Sequence, residues 1–256
     1  MEIGESETAI VADARDFEPC TIPLPRLQKP LAAELHLWFL DLQALAGSLR
    51  NALDGHADGA TALTTGQMRF ARRFYLRLLL GAYLGMPGKE VKINRKQRGK
   101  PVLDSTVHDD VLHFSMAKSE GRLLIGFSTY SHLGVDLEPA QRVAHNALGV
   151  ARRYFSPSEA DALAALPATA LDKAFLRVWA CKEAVVKASG KGIANQFARF
   201  TVDSDISRPA AVLEFEGAPA NDWTLALISP EEGFLGAVAI RDRVTTLRAR
   251  RLVASR

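Results

Sequence analysis

The stretch Leu133-Gly134-Val135-Asp136-Leu137-Glu138-Pro139 decides how the rest of the chain is read. Apolar residues at 133, 135 and 137 alternate with Gly134, Asp136 and Glu138, the period-two pattern of a strand with one face in a core. Asp136 and Glu138 therefore project together from the other face. Two carboxylates held that close repel each other unless a cation lies between them or one stays protonated. A hard divalent ion such as magnesium suits them, since it takes a few carboxylates together with phosphate oxygens and waters. Two solvated acids at a strand end are the competing reading, and these residues alone leave both open.

Towards the C-terminus, Ser156-Pro157-Ser158-Glu159 is a capping box with proline at the first helical position. It opens a helix that must stop before Pro167. Thr169 is read as the cap of a longer helix running through Ala174, Trp179, Ala184 and Val185 to a stop at Ser189-Gly190. Strands are expected at Phe200 to Val202, Ala211 to Phe215, Trp223 to Ile228 and Phe234 to Ile240, and a basic tail from Arg241 is expected to fray. Towards the N-terminus, strands are expected at Leu123 to Ser128, Leu112 to Ala117 and Val91 to Asn94. Thr64 to Leu84 is a long helix with Phe70, Phe74, Leu78 and Tyr83 as its apolar face and Gly85-Met86-Pro87-Gly88 as its stop. A short helix at Leu45 to Leu53, a loop to about Ala62 and a strand at Ala33 to Leu42 precede it. Residues 1–30 are acidic and then broken by prolines, which reads as a poorly ordered tail. The resulting class is α+β, with two similar halves (31–130 and 131–241), each a long helix on a mostly antiparallel sheet, followed by a tail at 242–256. The likeness of plan suggests duplication, although no internal repeat is visible in the residues.

Hydrophobic residues make up 48% of the 256, which suffices for a real core, and the net charge of +3 is too small to indicate nucleic acid. The two cysteines, Cys20 and Cys181, have no C-x-x-C neighbours, so a disulfide scaffold or a cysteine-ligated zinc is not expected. No apolar run reaches the roughly 20 residues of a spanning helix, and the acidic start is unlike a signal peptide. The expectation is a cytoplasmic protein with no membrane or nucleic-acid partner.

Three further segments carry chemistry. In Trp179-Ala180-Cys181-Lys182-Glu183-Ala184-Val185-Val186-Lys187, positions 179, 183 and 187 fall on one helical stripe. The plain account is an exposed i,i+4 pair of Glu183 with Lys187, but a tryptophan heading the stripe argues against a fully solvated face. Arg98-Gly99-Lys100-Pro101, just after Arg95 and Lys96, places cations on a glycine-containing turn, suitable for phosphate and equally for a basic surface loop. Phe114-Ser115-Met116-Ala117-Lys118-Ser119 leaves a strand for a polar turn and says nothing alone.

Taken in order, these segments resemble the phosphopantetheinyl transferases of the Sfp type. That family runs G-K-P, a segment like F-N-x-S-H-S, G-[IV]-D-[IL]-E, then W-x-x-K-E-[AS]-x-x-K-x-x-G-x-G. The matches here are Gly99 to Pro101, Phe114 to Ser119, Gly134 to Glu138, and Trp179 to Lys187 continuing into Gly190-Lys191-Gly192. Ala151 to Glu159 is similar to a family segment around Phe-Ser and a Glu, and Arg73 to Leu84 to its arginine-bearing helix. One position departs: the family carries Ser-His where this chain has Ala117-Lys118. The Ser131-His132 pair lies too close to Gly134 to replace it.

The resemblance implies an enzyme that moves the 4′-phosphopantetheine arm of coenzyme A onto a serine of an acyl, polyketide or peptidyl carrier protein and releases adenosine 3′,5′-bisphosphate, a monomer serving secondary metabolite biosynthesis. It implies that Asp136, Glu138 and Glu183 hold Mg²⁺, with Glu183 as general base and Lys187 on the phosphate that changes charge. Lys100, Lys118 and Ser119 would bind coenzyme A phosphates, with lysine at 118 serving as a point charge in place of histidine. Arg73 and Arg69 are the candidates for the 3′-phosphate. Arg142, Val143, Leu148 and Arg152 form a candidate carrier-docking surface. The alternatives are a catalytically weak coenzyme A-binding homologue, motivated by Lys118, and another magnesium-dependent enzyme acting on a nucleotide.

Overall fold

A computed structural model describes residues 15–47, 63–96, 99–108, 112–190 and 196–254. Twelve strands and four helices of eight or more residues are laid out among them. β1 (Glu18–Thr21), β2 (Glu34–Asp41), β5 (His113–Ser119), β6 (Arg122–Ser128) and β12 (Thr246–Val253) form one sheet in the order β1-β12-β2-β6-β5. β1, β12 and β2 run parallel, while β6 is antiparallel to both β2 and β5. β7 (Leu133–Pro139), β10 (Thr224–Ile228) and β11 (Phe234–Ile240) form an antiparallel sheet, order β10-β11-β7. β3 (Ile93–Arg95) pairs with β4 (Pro101–Leu103), and β8 (Phe200–Val202) with β9 (Val212–Phe215).

The four helices are α1 (Thr65–Leu84), α2 (Ala147–Tyr154), α3 (Pro157–Ala164) and α4 (Ala168–Ser189). Thr64 and Gln67 form a reciprocal capping box on α1, and Gly85 closes the helix at φ 69°. α3 has the expected Ser156–Glu159 box with Pro157 in its first turn. The cap of α4 lies two residues before the expected one. Pro167 occupies the N-cap position without a side-chain bond, because its fixed φ already suits the entry to a helix.

β2 explains why Leu35 to Leu40 reads as a nearly continuous apolar run: the strand is covered on both faces. Trp38 and Leu40 pack with Tyr75, Leu79 and Tyr83 of α1. Leu35, Leu37 and Phe39 face the opposite way, where Val135 and Leu137 of β7 and Val238 and Ile240 of β11 join them. α4 covers the other face of the second sheet, with Ala180 and Ala184 against Ala237 and Ala239.

Three expectations fail. The segment from Arg241 does not fray: β12 lies between β1 and β2, and Arg248 pairs with Glu34. Its arginines alternate with Leu247, Ala249 and Leu252, so a strand pattern is hidden under the charge. Residues 18–21 of the supposed N-terminal tail are β1, paired with β12, while residues 1–14 lie outside the described residues, as does the 48–53 part of the expected short helix. The apolar face assigned to α1 is also out of phase, except at Tyr83, which is buried as expected. Phe70 is 68% and Phe74 40% exposed, and the buried stripe is Ala71, Tyr75, Leu79 and Tyr83 with Leu76 and Leu80. Both stripes have helical spacing, and the longer one takes the core. The two sheets differ in size and strand sense, and the larger takes strands from both chain ends, so a duplicated plan is not seen. No described helix is long and apolar enough to cross a membrane.

Candidate active site

β5 is an edge strand of the larger sheet and β7 of the smaller, and the two meet where the Ser115 hydroxyl accepts from the Val135 N–H at 3.2 Å. Behind β7 lies α4, unusually close. A Cβ on Gly134 would sit 1.9 Å from the Ala184 carbonyl oxygen and 2.5 Å from the Ala188 nitrogen, so only glycine lets this strand lie against that helix. Asp136 and Glu138 follow Gly134 on the same face, as the alternation predicts, and are thereby brought to the α4 residues Trp179, Glu183 and Lys187.

The exposed Glu183–Lys187 pair is not what forms. Lys187 reaches across to β7 and donates to Asp136 Oδ1 at 2.6 Å. The Trp179 indole N–H donates to Glu138 Oε1 at 3.1 Å, and Arg142 donates to the same oxygen at 2.5 Å with its guanidinium 5.7 Å from the Trp179 ring centre. Glu183 is buried and is pushed up to about 7, first by loss of water and then, against the pull of Lys187, by the charges of Asp136 and Glu138. Asp136 Oδ2 is buried without a hydrogen-bond partner among the described residues, an unusual state for a carboxylate oxygen.

Lys100 spans the same junction. Its ammonium donates to the Leu133 carbonyl on β7 and to the Lys187 carbonyl on α4, both at 2.8 Å. Burial and the nearby charge of Lys96 push it down to about 8. Among the described residues two of its three protons are used, which leaves one to offer a ligand.

In front of these residues is a cleft of about 470 Å³ lined by Lys100, Lys118, Glu183 and Lys187, with Arg72 and Arg95. The Arg72 Nε is buried and has no partner among the described residues, and burial together with the charges of Arg69 and Arg95 lowers its pKa. Five cations thus face one cavity whose acid is poised near neutrality, an arrangement suited to a polyphosphate ester and a proton transfer beside it.

Other predicted residues lie apart from this cleft. Arg69 and Arg73 line a neighbouring groove with Phe70 and Phe74. Ser119 ends β5 opposite Arg122, and Arg98, Lys191 and Gly192 lie outside the described residues. Arg142, paired with Glu138, is exposed, as are Val143 and Arg152, while Leu148 packs against the core around α4. Ser131 and His132 are exposed in the turn before β7, as expected. Sequence reasoning missed Arg72 and named Arg95 only as part of the basic turn; knowing that Tyr75 and Leu79 face inward would have turned Arg72, rather than Arg73, to the cleft.

Among the described residues no three His, Cys, Asp or Glu side chains form a ready-made metal cage. Asp136 and Glu138 each have an oxygen engaged by a cation or N–H donor. The donor set still fits a hard divalent ion: it is all carboxylate, one oxygen is buried and unpartnered, and the mutual repulsion that raises Glu183 is what such a cation would relieve.

A family model described as the 4′-phosphopantetheinyl transferase superfamily matches residues 132–240, which contain β7 and α4. The 4′-phosphopantetheinyl transferase HetI of Nostoc sp. is 31% identical over 233 residues, covering 86% of this chain and 92% of that protein. The 4′-phosphopantetheinyl transferase psf-1 of Bacillus pumilus is 28% identical over 126 residues, 49% of this chain and 51% of that one. The human L-aminoadipate-semialdehyde dehydrogenase-phosphopantetheinyl transferase is 25% identical over 199 residues, 69% and 64% of the two chains. The alignment with the Nostoc enzyme spans nearly the whole of both proteins, acidic strand and helix included, and the chain belongs to the 4′-phosphopantetheinyl transferase superfamily.

Proposed function

We propose that this protein transfers the 4′-phosphopantetheine arm of coenzyme A to a serine of an acyl, polyketide or peptidyl carrier protein, in a magnesium-dependent reaction that releases adenosine 3′,5′-bisphosphate. The observation that carries the reading is Glu183, buried and titrating at about 7, in a cleft whose other charged walls are cations. In the reaction the serine oxygen forms a bond to the phosphorus bearing the pantetheine arm while the bond from that phosphorus to the bisphosphate oxygen breaks. The serine proton goes to Glu183, the one carboxylate that lines the cleft. Lys187 steadies charge on the reacting phosphate, and Lys100, Lys118, Arg72 and Arg95 neutralise the remaining phosphates and fix their place. Arg73 and Arg69 stay in the proposal as 3′-phosphate contacts at the rim, next to Arg72, and Ser119 as a contact at the end of β5.

Asp136, Glu138 and Glu183 would hold the Mg²⁺, which supplies charge neutralisation to the pyrophosphate and lowers the cost of the leaving charge. Val143 and Arg152, with Arg142 and Leu148, form the carrier-facing surface beside the site. The test is incubation with coenzyme A, Mg²⁺ and a panel of carriers of the three types, followed by mass measurement. An arm-sized gain on a carrier serine is expected and should vanish with chelator. No gain on any carrier would refute the proposal, and breakdown of coenzyme A without a carrier would favour a nucleotide hydrolase.

A further inference from the structure

α4 buries two charged residues side by side, and only Glu183 takes part in the proposed chemistry. Lys182 is fully buried, and its ammonium has three oxygen partners at 2.7 Å: Glu159 Oε2, the Phe197 carbonyl and the Phe200 carbonyl. The charge also sits 4.2 Å from the Phe200 ring centre. Glu159, equally buried, accepts from the Ser156 N–H at 2.9 Å through Oε2 and from the Val202 N–H at 2.7 Å through Oε1. Every ammonium proton is used, and both carboxylate oxygens are engaged.

Such a pair gains little stability over well-packed apolar residues of the same volume, because both ions must be stripped of water. What it provides that an apolar pair cannot is direction. Three acceptors, on the first turn of α3, on the turn at 197–199 and at the start of β8, fix where the Lys182 head lies. The rest of the buried surface of α4 is largely alanine and valine (Ala174, Val178, Ala180, Ala184, Val185, Val186 and Ala188), with Cys181 among them and Phe175, Leu176 and Arg177 nearer its start, where Arg177 donates to the Asp203 and Arg208 carbonyls. The small side chains around residues 182–188 resist rotation of the helix about its own axis poorly, so the polar contacts must set it there.

Glu183 follows Lys182 by one residue, about 100° around the helix, and Lys187 lies about 40° beyond it. With charged heads some 6 Å from the axis, a 20° roll of α4 displaces the Glu183 carboxylate by about 2 Å. A misplacement of 1 Å already costs on the order of 100-fold in rate.

We propose that the Glu159–Lys182 ion pair is a positioning device that sets the rotation of α4 and so aims Glu183 and Lys187 at the cleft. It rests on the transferase reading for its kinetic consequence, but the rotation can be read without it. The Trp179 indole N–H, on the same helix and bonded to Glu138, reports the roll directly.

The decisive variant replaces the pair by apolar residues, Glu159→Leu with Lys182→Met. The double variant is expected to fold with a melting temperature near that of the parent, yet to shift the Trp179 indole N–H resonance and lose the Mg²⁺-induced rise in melting temperature. Its kcat for carrier modification should fall roughly 10- to 100-fold, with KM for coenzyme A little changed. A folded double variant with the parent's indole resonance and Mg²⁺ response overturns the proposal, as does a kcat loss that disappears when the assay is cooled well below the melting point. If the double variant does not fold, Glu159→Gln carries the test, since it removes the charge and keeps the shape. In the folded single variant, a moved resonance and a tenfold loss of kcat support the proposal, and parental values overturn it. A parent protein that modifies no carrier sinks the transferase reading alone, because the resonance and the Mg²⁺ response still decide the rotation.

Discussion

Gly134→Ala tests the close approach on which the site depends. The added Cβ would lie 1.9 Å from the Ala184 oxygen, about 1.6 Å short of the roughly 3.5 Å at which such atoms rest. Both atoms it meets, the Ala184 oxygen and the Ala188 nitrogen, are backbone, so no rotamer change relieves the overlap and β7 must part from α4. Overpacking of this kind costs about 1–3 kcal/mol, or roughly 2–12 °C in melting temperature for a chain of this size. The functional cost should be larger than the structural one. Parting the two elements stretches the Lys187–Asp136 contact and pulls apart the two carbonyls, Leu133 and Lys187, that Lys100 bridges. A shift of about an ångström predicts on the order of a 100-fold loss in kcat, together with a raised KM for coenzyme A as Lys100 is released. Carrier modification followed by mass spectrometry gives both constants, and circular dichroism gives the melting point. Gly66→Ala is the control, since its Cβ meets only Thr64 Oγ1, at 4.0 Å. Parental kcat in Gly134→Ala would show that the strand–helix spacing does not set the site.

In chelator-treated protein, Glu183→Gln should gain stability at pH 8. A carboxyl raised from 4.5 to about 7 stabilises the fold below pH 4.5, and that contribution is lost as the pH rises to about 7. The full difference is roughly 3 kcal/mol as an upper bound, so the melting curves of parent and variant should coincide near pH 4.5 and separate by several degrees at pH 8; equal separation at both would contradict a raised Glu183. The same variant should lose carrier modification. Lys118→Ala should raise KM for coenzyme A several-fold while Lys118→His keeps most activity, and unchanged coenzyme A kinetics in the alanine variant would remove Lys118 from the phosphate contacts. Arg152→Glu should raise the carrier KM and leave coenzyme A binding alone. Arg142→Glu is expected to lower kcat as well, because it replaces the Glu138 ion pair with a like charge, and a pure KM effect there would argue against that contact.

The parts of the fold that were legible in the sequence have local causes. The capping box at Ser156, the glycine stops at Gly85 and Gly190 and the alternation at 133–138 all declare themselves within a few residues. The acidic strand and the Glu183 helix could be joined only by their resemblance to a family, since nothing in their spacing brings residue 136 to residue 187. The failures are of the opposite kind. β12 is a strand because β1 and β2 flank it, over 200 residues away in the chain, and its arginines concealed that. The phase of α1 was misjudged because Phe70 and Phe74 look like core residues at the right spacing, and a helix with two apolar stripes does not say which one its sheet will cover.

The two buried charges at 182 and 183 separate scaffold from chemistry more sharply than the motif does. They are adjacent in sequence and similarly hidden from water, so burial alone gives no reason to assign them different roles. Lys182 has all three protons on oxygen, and its partner Glu159 has further N–H donors. Among the described residues, the Glu183 side chain has no hydrogen-bond partner, and it is pushed up to about 7 first by loss of water and then by the charges of the two acids beside it. A fold that can satisfy one buried ion this fully on α4 has no structural need to leave its neighbour unsatisfied. The unsatisfied state has to be maintained, against a cost, by the spacing at Gly134 and by the rotation that Lys182 fixes. That cost is recovered only when a ligand arrives, which places the function of α4 on its β7-facing side.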